Sequence, residues 1–277
     1  MSRDQVAVVG AGVAGLAAAE ELAARADVVV LDRLPVPGGV LAFDHPAVHA
    51  LAERCGSAGV RWLLGTTAVR WDRGRLLAVG PSGVRWLDAG HLVFAGGCRP
   101  ATAAELPIAG PRLAGVLPAP VAIHLAEAKV TLGRRVVIVG TGDWARAARE
   151  AIAGQRSQVT VVAGESAVAV SFRHDALISG WTPVAVSGRG RVSALTLEQA
   201  GQRHVLDCDA VILAASARPL RNVDGAIFEP APGVTYVQPA AETSSWEDVA
   251  SAARAAAGQV GQVRQMAGQG QQMEVGT

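Results

Sequence analysis

Gly10, Gly12 and Gly15 are the residues whose type and spacing speak most directly of chemistry. They follow the apolar run Val6–Gly10 and open an alanine-rich helical stretch that reaches about Ala24. In a strand–turn–helix of this kind the first glycine permits the tight turn and the second lets the backbone approach a diphosphate. The third lets helix and strand pack closely. Unpaired N–H groups and the helix dipole then favour negative charge at the turn. Asp32 closes a second apolar run, VVVLD, at a spacing suited to accepting hydrogen bonds from ribose hydroxyls. Strand, glycines, helix, strand and terminal acid in one register point to a dinucleotide. Gly38 and Gly39, after Pro35 and Pro37, offer another close backbone approach, serving either the same ligand or a loop turn.

The pattern occurs again in the second half. RRVVIVG ends at Gly140, and Gly142 and Ala145 complete the motif, alanine being small enough for the packing role of the third position. A helical segment from about Trp144 to Ala153 and a strand Gln158–Val162 follow. This turn suits a second nucleotide. Asp143 puts a carboxylate beside the expected phosphates, or else serves as a favourable acid at a helix start, and Trp144 adds bulk. Glu165, beyond the strand, reads equally as a ribose ligand or a surface glutamate. No arginine cluster follows to receive a 2'-phosphate, which favours NAD over NADP.

Both motifs require a βαβ frame, and the chain builds that frame twice. Each half continues with short strands between glycine turns: Ala68–Trp71, Leu76–Val79 and Val84–Leu87, then Val184–Ser187, Val192–Glu198 and His204–Leu206. These read as two antiparallel meanders. Each half closes on an apolar strand running into Arg-Pro, LVFAGGCRP and VILAASARP. The expected fold is α/β, with two Rossmann-like dinucleotide-binding domains, each carrying a β-meander, the second inserted in the first. The Pro- and Gly-rich stretch from Pro107 to Pro120 reads as an exposed connection, with the boundary near Pro111. The expected division is 1–111, an inserted 112–221, a return segment 222–265 with a helix from about Trp246 to Met266, and a disordered tail 266–277.

A net charge of +1 with mixed signs leaves no electrostatic footprint for nucleic acid. The amino terminus lacks the regions of a secretory signal, and Glu20 and Glu21 interrupt the apolar run from Val6 before membrane-spanning length, so a cytoplasmic protein without a transmembrane helix is expected. Cys55, Cys98 and Cys208 form no CxxC pair and read as core thiols; no metal site is expected. The six histidines carry no triad or metal spacing, and Trp62, Trp71 and Trp86 read as packing residues on strands. No catalytic side chain is named by these patterns.

The paired motifs, the Gly38–Gly39 pair and the AGGCRP strand end resemble the two-dinucleotide-binding-domain flavoproteins, the group that includes thioredoxin reductase, over nearly the whole chain. The stretch Arg99–Ala128 followed by VVIVGTGDWA is similar to the FAD/NAD(P)-binding alpha subunits of hydrogen cyanide synthase, of opine or hydroxyproline dehydrogenase and of sarcosine oxidase. The resemblance implies that Gly10, Ala11, Gly12, Gly15, Asp32 and Arg33 hold the ADP half of FAD, with Gly38 and Gly39 nearby. It places Val69 beside the adenine and Gly96 and Gly97 along the diphosphate path. It assigns NAD(P) to Gly140, Gly142 and Ala145, with Glu165 and the slight preference for NAD resting on the residue reading above. It further implies an FAD-dependent oxidoreductase that exchanges electrons with NAD(P) or a carrier, alongside a catalytic partner subunit oxidising an amine or amino acid. The alternatives are a nucleotide-binding scaffold subunit and a stand-alone NAD(P)H-dependent reductase of a small molecule. Departures from the family are equally specific. The absent CxxC leaves a dithiol relay without residues, no cysteine-rich iron–sulfur extension follows, Gln238 and Pro239 stand where the family has Gly-Asp, and the segment after Gly39 is short.

Overall fold

The computed structural model describes residues 4–39, 46–164, 170, 172–237 and 245–260. It divides into two compact units, unit 1 being Met1–Gly97 with Pro219–Thr277 and unit 2 Cys98–Arg218. Unit 1 opens with β1 (Gln5–Val9), α1 (Val13–Ala23), β2 (Asp27–Asp32), α2 (Pro46–Ser57) and β3 (Arg61–Leu64). A meander of β4 (Thr67–Asp72), β5 (Arg75–Gly80) and β6 (Gly83–Asp88) leads into β7 (His91–Phe94). Unit 2 starts with β8 (Cys98–Arg99), β9 (Val116–Pro118), α3 (Ala119–Glu127), β10 (Arg135–Val139), α4 (Asp143–Ala151), β11 (Gln158–Ala163) and β12 (Ala176–Ser179). Its meander is β13 (Thr182–Arg189), β14 (Arg191–Gln199) and β15 (Gln202–Asp207), followed by β16 (Ala210–Leu213). β17 (Arg218–Pro219) leads back to unit 1, which closes with β18 (Val234–Tyr236) and α5 (Trp246–Gly258).

Each unit is built on a five-stranded parallel sheet, β18-β7-β1-β2-β3 in unit 1 and β12-β11-β10-β16-β9 in unit 2. Strands buried on both faces need apolar residues at every position, which is why VAVV and VVIV run without alternation. The pleat divides them. Val6 and Val8 join the helices α1, α2 and α5 in one core, while Ala7 joins the meander residues Trp71, Leu76 and Ala78 in another. Unit 2 repeats this division: Val136 and Ile138 face the helices, and Val137 and Val139 face Leu195 and Leu197 of the meander. The α/β class, the two Rossmann-like units and the insertion follow from this topology.

The structure differs from the reading of the sequence at the domain boundary, at Trp86 and at the last helix, which ends at Gly258 and not near Met266. The chain enters unit 2 at Cys98, well before Pro111. Residues between those points are tied to unit 2, with Ala101 N donating to Ala215 O at 3.0 Å and Ala109 N to Val184 O at 2.8 Å. A proline-rich stretch without periodicity can still be anchored through its carbonyls and remaining N–H groups, a contact that side-chain pattern does not register. Trp86 is 43% exposed, not packed, with the Arg75 guanidinium 5.0 Å over its ring; Trp71 is buried. The segment 261–277, including the expected tail, lies outside the described residues. Among the described residues no helix is long and apolar enough to cross a membrane.

Candidate functional site

The C-terminal edge of the unit 1 sheet is where β1 hands over to α1. Gly10 takes φ +107°, and its N–H donates to Leu31 O at 2.8 Å. A Cβ on it would stand 2.1 Å from Ala95 O, so this glycine is demanded by the fold. A Cβ on Gly15 would stand 1.8 Å from Gly10 O, which makes the third glycine a packing requirement too. Gly12 is different. Its φ of −79° and ψ of −177° suit any residue. An added Cβ would meet nothing nearer than Gly39 Cα at 3.8 Å. Neither strain nor crowding within the protein explains a glycine there, whereas the approach of a ligand does.

The surrounding groups agree with an anionic ligand. Helix α1 has no side-chain cap and no acid in its first turn, so its leading N–H groups are free to face a phosphate. Asp32 is held at the end of β2 by two backbone donors, Ala11 N at 2.6 Å to Oδ2 and Leu34 N at 2.8 Å to Oδ1. Each carboxylate oxygen retains a lone pair, and the carboxylate is fixed in orientation. Gly38 N donates to Ala11 O at 2.7 Å, and Gly38 and Gly39, at φ +122° and +76°, bring that loop against Gly12. Gly96 lies on the other side of the turn, next to Ala95. The structure thus gathers Gly10, Ala11, Gly12, Gly15, Asp32, Gly38, Gly39 and Gly96, and these residues fit the diphosphate and a ribose of a dinucleotide. Arg33 is exposed just beyond. Val69 sits in the bulge of β4, its carbonyl accepting from Asp224 N at 2.8 Å. Residues 40–45, Gln238 and Pro239 lie outside the described residues.

A cavity opens at the C-terminal ends of β7 and β18, lined by Phe94, Gly96, Gly97, Pro219, Leu220, Arg221, Tyr236 and Val237. The Arg221 guanidinium lies 4.5 Å over the Tyr236 ring and 2.7 Å from Glu229. The Tyr236 hydroxyl donates to Phe228 O at 2.8 Å, and burial raises its pKa against the opposing charge of Arg221. Arg221 and Tyr236 were not among the residues singled out from sequence. The one available signal was that Tyr236 is the chain's single tyrosine and sits in an otherwise small-residue strand end.

The unit 2 turn repeats the unit 1 geometry at Gly140, Gly142 and Ala145. Gly140 takes φ +120°, a Cβ on it would be 2.8 Å from Ala214 O, and its N–H donates to Val162 O at 3.0 Å. Gly142 has φ −78° and ψ −167°, and Ala145 is fully buried. The environment is not the same. Asp143 opens α4, and Oδ1 accepts from Arg146 at 3.2 Å, which is the helix-start arrangement. Trp144 is 7% exposed, packed among the helix-face residues with its indole N–H unpaired. Strand pairing sets Val9 opposite Leu31 and Val139 opposite Val162, so the unit 2 position matching Asp32 is Ala163. Glu165 lies two residues past it, outside the described residues.

Cys55 and Cys208 are core thiols as expected, whereas Cys98 is half-buried and directly follows Gly97. Burial pushes Cys55 up to about 11, and it donates to Leu16 O; burial likewise pushes Cys208 up to about 11. Among the described residues no group of His, Cys, Asp or Glu gathers to hold a metal ion.

Residues 4–179 match the family profile of pyridine nucleotide-disulphide oxidoreductases. No curated protein matches the sequence. Among solved structures, a pyridine nucleotide-disulfide family oxidoreductase from Enterococcus faecalis V583 is similar, at 17% identity and TM-score 0.66, over 93% of this chain and 69% of that one. Thioredoxin reductase of Lactococcus lactis matches at 16% identity and TM-score 0.66, over 94% of this chain and 98% of that one. L-proline dehydrogenase from P. horikoshii matches at 17% identity and TM-score 0.63, over 93% of this chain but 54% of that one. At these identities the likeness is one of fold.

Proposed function

Because the chain belongs to the pyridine nucleotide-disulphide oxidoreductase family, whose members bind FAD and NAD(P), we propose that it is an FAD-dependent oxidoreductase acting as one component of a heteromeric amine- or amino-acid-oxidising enzyme. The observation that carries the FAD assignment is the room at Gly12, a glycine its own fold does not require, beneath an uncapped and acid-free α1. Asp32 would hold the ribose hydroxyls and the α1 N–H groups the diphosphate, while Gly96 and Gly97 leave the path along β7 clear. Bound FAD would supply the two-electron chemistry, and the chain's residues bind and orient it. Without a CxxC pair, electrons do not pass through a dithiol. They are exchanged with NAD(P) or with a carrier on a partner subunit. An amino-acid dehydrogenase among the structural relatives supports this substrate class.

The purified chain is expected to bind added FAD and show a visible flavin band, and co-purification from its source is expected to bring a second subunit. A chain that remains colourless and takes up no added FAD would sink the oxidoreductase reading and leave the scaffold role. Bleaching of the flavin by NADH or NADPH with no partner present would favour a stand-alone reductase.

A further inference from the structure

The two glycine turns can be compared atom for atom because the sheets hold them in the same register. Gly10 N and Gly140 N donate to Leu31 O and Val162 O, and the next residue of each second strand is Asp32 in unit 1 and Ala163 in unit 2. Both positions also pair with a third strand, Asp32 with Leu64 and Ala163 with Ser179, the donor to the carbonyl being Thr66 N, two residues past the pair, in unit 1 and Gly180 N, one past it, in unit 2. The position that presents a carboxylate to a ribose diol in unit 1 therefore presents a methyl group, 2% exposed, in unit 2. A buried methyl cannot accept from a 2'-hydroxyl, and the sequence has no Lys or Arg between Ala163 and Arg173 to receive a 2'-phosphate.

The phosphate end has changed in the same direction. Helix α1 has no acid in its first turn, whereas α4 begins with Asp143. A carboxylate at that place occupies the favourable field of the helix start that a diphosphate would otherwise use, and repels the diphosphate. Arg146 offsets this only in part, because its one positive charge is shared between Asp143 at 3.2 Å and Glu150 at 3.3 Å.

We propose that unit 2 keeps the fold of a dinucleotide site but has lost recognition of NADH and NADPH, through replacement of its ribose acceptor by Ala163 and placement of Asp143 at its phosphate end. Resting on the FAD reading above, this leaves a redox-active protein partner, not a nicotinamide dinucleotide, as the second party to the flavin's electron exchange.

The test is equilibrium binding of NADH and NADPH to the full chain by calorimetry, with FAD titrated in parallel. The expected result is dissociation constants for NADH and NADPH above about 1 mM, whatever the affinity for FAD. Ala163→Asp, combined with Asp143→Asn, is expected to tighten NADH by roughly tenfold to a hundredfold, the effect of one charged hydrogen-bond acceptor and one removed repulsion. Ala163→Glu serves if the shorter acid fails to fold. Micromolar NADH binding by the unaltered chain overturns the proposal, most directly if Glu165→Ala abolishes it, because the anchor would then be Glu165. Folded variants without gain would overturn the assigned cause. Failure of FAD to bind is a separate outcome that removes the proposed function and not the statement about unit 2.

Discussion

An alanine at position 12 and an alanine at position 15 are chemically the same change, yet the structure separates them. At Gly15 the new methyl would stand 1.8 Å from Gly10 O, so the helix must move off the strand. Gly15→Ala is expected to destabilise the chain by about 1–3 kcal/mol, read by denaturant unfolding. At Gly12 the methyl has room, and Gly12→Ala is expected to leave stability within about 1 kcal/mol. FAD affinity should nevertheless fall at least about tenfold, and the bulkier Gly12→Val should abolish it. A Gly12→Ala protein that keeps both stability and FAD affinity would remove the diphosphate from this turn.

At the scale of elements, α5 packs on α1 through Ala250, Ala253 and Ala257, against a helix that is itself alanine-rich. Glu20 on α1 ties the pair together, accepting from Arg254 of α5 at 2.8 Å and from Arg54 of α2. Burial works to raise the Glu20 pKa, but the two arginines outweigh it and hold the carboxyl below its ordinary value of 4.5. A lowered folded-state pKa contributes stability above the unfolded value and loses it as pH falls through the folded one. Glu20→Gln should therefore flatten the acid side of the stability profile below about pH 4.5, measured by melting temperature against pH. Ala253→Leu, on the same seam, should cost about 1–3 kcal/mol through overpacking. How far these elements can be read in advance depends on periodicity. The strands Val6–Val9 and Val136–Val139 and the meanders are unbroken patterns and stand where the sequence puts them. The entry into unit 2 at Cys98 rests on backbone pairing of Ala101, Ala109 and Ala114, to which side-chain pattern is blind. The site follows the same division. Gly12 and Asp32 are legible from motif spacing, but the correspondence of Ala163 with Asp32 comes from register, whereas a search for the first acid beyond the strand stops at Glu165.

The molecule as a whole is one plan used twice, with the second copy inserted between Gly97 and Pro219 of the first. Each unit has its own sheet and its own two cores, one under helices and one under a meander. With separate cores in each unit, a chain of this kind need not unfold in one cooperative step. A ligand that binds only the folded form of unit 1 stabilises that unit by mass action, by about 2.7 kcal/mol at a hundredfold excess over its dissociation constant. Calorimetry of the full chain is expected to resolve two transitions, with added FAD raising one and leaving the other in place. Added NADH should move neither if unit 2 has lost its ribose acceptor. The assignment of the FAD-sensitive transition follows from Gly12→Val, which should erase the shift while both transitions persist. A single transition raised as a whole by FAD would mean that the duplicated units are energetically one body. Two transitions of which FAD moved the one insensitive to Gly12→Val would place the flavin nucleotide in the inserted copy.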